Sequence, residues 1–79
     1  MAKTEPVIAL RIETSRTALV IVFEDREMRI PWEKCSGKLA AASEAERQNA
    51  ELSPGGYGIH WPLIDEDLSI AGLLRSAPR

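Results

Sequence analysis

The chain has little of what most active sites and covalent staples are built from. Its 79 residues include one cysteine, one histidine, two tryptophans, one tyrosine and one phenylalanine. A lone Cys35 permits no intramolecular disulfide, and a small domain without a staple points to a reducing cytoplasm. No apolar run reaches the ~18 residues that a membrane-spanning helix needs. The first ten residues, MAKTEPVIAL, lack the hydrophobic region of a signal peptide. CxxC, HExxH, the EF-hand loop and the Gly-rich phosphate loop are all missing, so no metal or nucleotide motif stands out. Net charge is −2, from 10 basic and 12 acidic residues, which gives no general pull toward phosphate backbones.

The apolar fraction, 44%, is ordinary for a globular protein and argues against disorder. A chain this short buries only about 60 to 65% of its unfolded surface, so it forms one small domain, residues 1–79, that gains from a partner or a second copy. Residues 1–5 and 76–79 read as tails.

Val7 to Glu13 alternates and predicts a strand with Ile8, Leu10 and Ile12 on one side. Thr17 to Glu24, TALVIVFE, is the strongest strand. Leu19, Ile21 and Phe23 share one face and Ala18, Val20 and Val22 the other. Both faces are apolar, which marks a central strand with two faces to cover. Asp25-Arg26 then reads as a tight loop into a third strand, Glu27 to Pro31. Glycine is the usual second residue of such loops, so Arg26 implies a wider loop or local strain. Trp32 to Ala42 predicts one short helix weakened at Ser36-Gly37. Ser43-Glu44-Ala45-Glu46 is a capping box that starts a second helix reaching Leu52, with Arg47 and Gln48 outward. The expected fold class is α+β: a small, mostly antiparallel sheet, with a three-stranded meander, a fourth C-terminal strand and two or three short helices.

The stretch from Gly55 to Leu74 is chemically the most distinctive. It holds the only histidine and four of the five glycines. Tyr57 to Pro62 predicts the fourth strand, with Tyr57, Ile59 and Trp61 on one side. Asp65-Glu66-Asp67 forms an acidic corner, and Asp67 or Ser69 caps a last helix carrying Leu68, Ile70, Leu73 and Leu74. From Ala50 to Leu74 there are four acidic residues and no Lys or Arg. Trp and Tyr are common interface anchors, and an acidic rim suits a basic partner. The plainer alternative makes Trp61 and Tyr57 core residues. His60 with Asp65 and Asp67 gives possible metal ligands, but not at the spacing of a zinc or calcium loop. His60 with Cys35 makes a conceivable nucleophile pair, although Cys35 reads most simply as packed core. Arg11, Arg16, Arg26 and Arg29 in the first half are the possible contacts to nucleic acid, although no helix reads as a basic recognition helix.

Gly56 to Leu74, GYGIHWPLIDEDLSIAGLL, closely resembles the C-terminal signature of a bacterial family known as domain of unknown function 2442. The pattern G-Y-G-I-H-W-P-x-x-D-E-D-L-S-x-x-G-L-L is matched by Gly56 to Pro62, Asp65 to Ser69 and Gly72 to Leu74. Upstream, a strand pair, a Trp and helical turns around Ala42 to Arg47 also resemble the family. Asp25-Arg26, where the family usually has Asp-Gly, and the Ser36-Gly37 step depart from it. The resemblance implies a compact α+β domain with no established catalytic residues and no cofactor. It further implies a frequent gene neighbour, a small protein of domain of unknown function 4160. Together the pair looks like a toxin–antitoxin module with this family as the antitoxin-like half.

The expected function is therefore that of a non-enzymatic, cytoplasmic protein-binding module that masks its partner through Tyr57, His60, Trp61, Asp65, Glu66 and Asp67. The alternatives are a DNA-contacting autoregulator using the four arginines, or a metal site at His60 and Asp65. A homodimer burying the open face of the central strand is also expected to be accessible.

Overall fold

The computed structural model describes residues 8–76. The fold is α+β, with two three-stranded antiparallel sheets and four short helices among the described residues. The first sheet is the expected meander: β1 (Arg11–Thr14), β2 (Ala18–Val22) and β3 (Glu27–Pro31), in that spatial order. The second is β4 (Glu51–Leu52), β5 (Gly58–Trp61) and β6 (Glu66–Ser69). Between them run α1 (Trp32–Cys35), α2 (Gly37–Ala41) and α3 (Glu44–Gln48), and α4 (Ile70–Ser76) closes the chain. The expected tails fall largely outside the described residues, although α4 reaches Ser76.

In the first sheet, β2 is central, as its two apolar faces predict. Leu19, Ile21 and Phe23 are buried on the inner face beside Ile12, Met28 and Ile30. On the outer face Ala18 and Val20 are only 2% and 5% exposed. Register places Val20 between Glu13 and Arg29, and Val22 between Arg11 and Glu27. The aliphatic stems of such neighbours cover apolar surface while their charges stay in water. That outer face therefore does not present the open apolar surface a homodimer was expected to bury.

The alternation read over Val7 to Glu13 fails at a bulge. Leu10 N–H donates to Val22 O at 2.8 Å, and Arg11 is the residue paired with Val22. Two residues of one strand thus oppose one of the other, which shifts the side-chain parity. Ala9 is buried instead, and Ile8 and Leu10 are 42% and 61% exposed. The second hairpin is also displaced from expectation. Phe23 N–H bonds Arg26 O at 2.7 Å, so Glu24 and Asp25 form the loop. Arg26 keeps an ordinary φ and lays its guanidinium over the Phe23 ring at 5.2 Å.

The fourth strand does not join the meander. β5 pairs with β4 on one side and β6 on the other. Neither flanking strand was expected. β4 has two residues, too few for periodicity, and β6 is rich in acidic residues that disfavour strands. The helix expected over Trp32 to Ala42 breaks at Ser36, whose extended backbone and side chain cap α2 through Leu39 N–H at 3.1 Å. The Ser43–Glu46 capping box forms as read, at 3.2 and 2.8 Å. α3 then stops at Gln48.

One core cluster spans both sheets, with the two tryptophans at its centre. Trp32 and Trp61 meet edge to face, centroids 6.4 Å apart at 82°. Each indole N–H is satisfied by a backbone carbonyl, Trp32 by Ser15 O at 2.9 Å and Trp61 by Arg47 O at 3.1 Å. Arg47 is not outward. Its Nε and Nη2 donate to Leu39 O and Ala40 O, both at 2.9 Å, and its guanidinium lies over Trp32 at 5.6 Å. It closes the C-terminal end of α2 and roofs the aromatic pair.

Two substitutions test this centre by urea unfolding. Trp61→Ala removes a fully buried indole and is expected to cost ~3–5 kcal/mol. Arg47→Met keeps the stem but removes both side-chain donors, leaving Leu39 O with only the Ala42 N–H at 3.2 Å, with an expected cost of about 1–3 kcal/mol. An Arg47→Met midpoint equal to wild type would show that these bonds contribute nothing.

Candidate functional site

Sheet alternation decides which residues of the acidic-aromatic stretch are available. Along β5, Ile59 and Trp61 face inward and Gly58 and His60 outward. Register then aligns Glu51, His60 and Asp67 as one row across β4, β5 and β6 on the outer face. His60 Nδ1 lies 2.6 Å from Asp67 Oδ1, a directly opposed cross-strand pair that fixes the ring orientation. When the imidazole is neutral, Nδ1–H donating to Asp67 leaves Nε2 as an acceptor facing outward.

The loop before β5 shapes the neighbouring surface. Gly56 sits at φ +78, and a Cβ there would run into the Ala9 carbonyl oxygen. Only glycine lets Ala9 N–H reach Gly56 O at 2.8 Å. Tyr57 follows, 51% exposed, while its carbonyl accepts from Ile70 N–H at 2.8 Å to seat α4. Between Tyr57 and the His60–Asp67 pair lies an open, mainly apolar groove of ≈ 340 Å³, floored by Gly58, Leu68 and Ser69.

The other expected site residues fall elsewhere. Trp61 is 0% exposed and belongs to the core, so it presents nothing to a partner. Asp65 ends the four-residue turn between β5 and β6 with φ 53, a left-handed conformation that Asp tolerates better than most residues. Its carbonyl and that of Ile64 accept from Lys38 Nζ at 3.0 and 3.3 Å. Glu66 is half-buried opposite Trp61. Of the two residues offered as cap for the last helix, Ser69 serves, its Oγ accepting from Gly72 N–H at 2.9 Å. Asp67 is left on the strand for His60. His60 is thus held by Asp67, not Asp65, and among the described residues no group of three His, Cys, Asp or Glu is arranged to hold a metal ion.

The four arginines are not gathered on one surface. Arg11 pairs with Glu13 at 3.0 Å, and Arg26 lies on Phe23. Arg16 and Arg29 instead share a groove of ≈ 570 Å³ with Arg47, Thr17, Trp32 and Glu33. Arg16 also stands 3.9 Å from Glu44. Arg47 is the contributor that sequence reasoning missed. No local pattern shows that a residue mid-helix turns back onto the preceding helix.

Cys35 is half-buried beside the core and donates weakly to Ile30 O at 3.8 Å. Burial pushes its thiol up from 9.0 to about 11, against a smaller opposing pull from Arg47 and with Glu33 adding to the rise. It remains a thiol at neutral pH and is a poor nucleophile. Ser53 Oγ and Ser69 Oγ, on the rim of the groove, already accept from the backbone N–H groups of Gly58 and Gly72.

The architecture is thus that of a small two-sheet α+β domain clasped by a C-terminal strand, turn and helix. The chain belongs to the family described as protein of unknown function (DUF2442), whose model matches residues 7–79. It is similar in structure to a protein of unknown function from Rhodospirillum rubrum ATCC 11170, with a TM-score of 0.81 at 25% identity over 92% of this chain and 90% of that one. No curated protein matches it. Among the described residues no helix is long and apolar enough to cross a membrane.

The raised thiol gives a pH signature. The folded state keeps Cys35 protonated where the unfolded chain ionises, so its contribution is complete below pH 9.0 and is lost as pH rises toward about 11. Denaturation at pH 8 and 10 (both chosen to bracket that onset) is expected to show a fall in stability that Cys35→Ala lacks. An equal fall in both proteins would contradict the assignment.

Proposed function

We propose that this protein is a non-enzymatic protein-binding module, the antitoxin-like half of a two-gene module, which acts in the cytoplasm by covering its partner's functional surface. The observation that carries this reading is the outer face of the second sheet. There an exposed Tyr57 and the oriented His60–Asp67 pair flank an apolar groove. An exposed aromatic beside apolar surface with an acidic rim is the chemistry of a contact for a basic protein. A reaction is disfavoured, because the thiol is protonated and, among the described residues, His60 is held by Asp67 with no hydroxyl bonded to its ring. The contacting set is Tyr57, His60 and Asp67, with Glu51 beyond His60 in the same row. Asp65 and Glu66 shape the turn behind it, and the family resemblance supplies the partner, the small protein encoded next door.

A second reading rests on the groove shared by Arg16, Arg29 and Arg47, which offers cationic groups to the phosphates of the module's own promoter. Glu33 and Glu44 beside it weaken that attraction.

Co-expression with the neighbouring gene product and affinity capture test the first reading. A complex is expected, and Tyr57→Ala and Asp67→Arg are each expected to weaken it at least about tenfold while leaving the fold intact. Absence of any complex, or equal capture by both variants, would sink it. A gel shift at low salt that depends on Arg16 and Arg29 would favour the second reading instead.

A further inference from the structure

We infer that the chain self-associates by pairing β1 antiparallel with β1 of a second copy, joining the two meanders into one continuous six-stranded sheet. This interface lies on a different sheet from the proposed partner face and does not depend on that reading.

Among the described residues β1 is an edge of the first sheet, and an unpaired edge is a template for another strand. The direction of its free groups is fixed by the hairpin. Ser15 N–H donates to Ala18 O at 2.9 Å, and alternation along an antiparallel ladder then turns Glu13 and Arg11 toward β2 and Thr14 and Ile12 outward. The N–H and C=O groups of Ile12 and Thr14 are therefore the ones offered at the edge.

Charge selects the register. In a two-fold antiparallel pairing one residue faces its own copy. Centring on Arg11 opposes two arginines, and centring on Glu13 opposes two glutamates, both unfavourable. Centring on Ile12 places each Arg11 opposite Glu13 of the other copy and brings the two Ile12 side chains together at the rim of the core. Arg11 and Glu13 lie on the outer side and are already 3.0 Å apart within one chain. Pairing thus builds a four-charge cluster with no unmatched ion. Leu10, 61% exposed at the bulge that ends the ladder, sits at the end of this edge.

The other edges are less suited. β3 repeats the alternation with Glu27 and Arg29, but it ends in Pro31, which has no N–H to offer. β4 is two residues long. β6 would set acidic residues against each other.

Sedimentation velocity on the full chain from micromolar to millimolar concentration tests this. A monomer–dimer equilibrium is expected. Arg11→Glu and Glu13→Arg should each weaken dimerisation by about tenfold, because two attractive cross-strand pairs become repulsive. The double exchange Arg11→Glu with Glu13→Arg should restore it. Both positions are exposed, so circular dichroism of each variant should match wild type. Amide exchange at Ile12 and Thr14 should slow with concentration, while that at Glu13 should not change. A monomer at every concentration, a dimer indifferent to the single reversals, or a dimer broken by Glu27→Arg rather than Arg11→Glu would each overturn the proposal.

Discussion

The edge-to-face contact between Trp32 and Trp61 is the constraint on which the rest of the structure depends. Each sheet has only three strands and holds part of one shared core. One tryptophan comes from the exit of the first sheet and the other from the centre strand of the second. Their meeting merges two half-cores into one. Such a pair is worth about 0.5–1.5 kcal/mol beyond the area it buries. Its larger effect is geometric, because both indole N–H groups must find carbonyls inside the core. Ser15 O and Arg47 O meet that need, which fixes the first hairpin and α3 relative to the indoles. Arg47 returns across the gap to Leu39 O and Ala40 O and covers Trp32. A residue that looks like a surface charge is thereby built into the centre.

This arrangement explains why the distinctive C-terminal stretch is mostly scaffold. Trp61 is committed to the aromatic pair. Gly56 admits the Ala9 backbone, Asp65 takes the left-handed position of the turn, and Ser69 starts α4. With those roles assigned, Tyr57, His60 and Asp67 are the residues that face outward around the groove. In the proposed reading they are the surface the partner touches. The His–Asp pair is oriented, yet the structure sets no activated nucleophile against it among the described residues.

Much of this was legible in the sequence, and the failures have physical causes. β2 announced itself through two apolar faces, and the α3 start through Ser43 and Glu46, because both signals are local. The resemblance carried by Gly56 to Leu74 identified the family that the whole-chain match shows. The inward face of the first strand was misread, because the bulge at Leu10 and Arg11 reverses parity and leaves no local mark. β6 was hidden because its acidic residues look like a corner. The outward position of Asp67 and its His60 partner make a strand tolerable there, with Glu66 half-buried opposite Trp61. Arg47 was misread because its partners, Leu39 O, Ala40 O and the Trp32 ring, are set by tertiary packing. In the candidate site, Tyr57, His60 and Asp67 were legible as a group. The period of β5 takes Trp61 out of the group, and Tyr57, read on the same side, stays in it because β5 begins only at Gly58.

The central claim is that the tryptophan pair makes two marginal sheets into one cooperative unit. Native-state hydrogen exchange measures this most directly, through the amides of Ile21 in β2 and Ile59 in β5. The account predicts that both exchange with the same opening free energy, equal to that of global unfolding. Two distinct values, with the second sheet opening while the first stays closed, would contradict it.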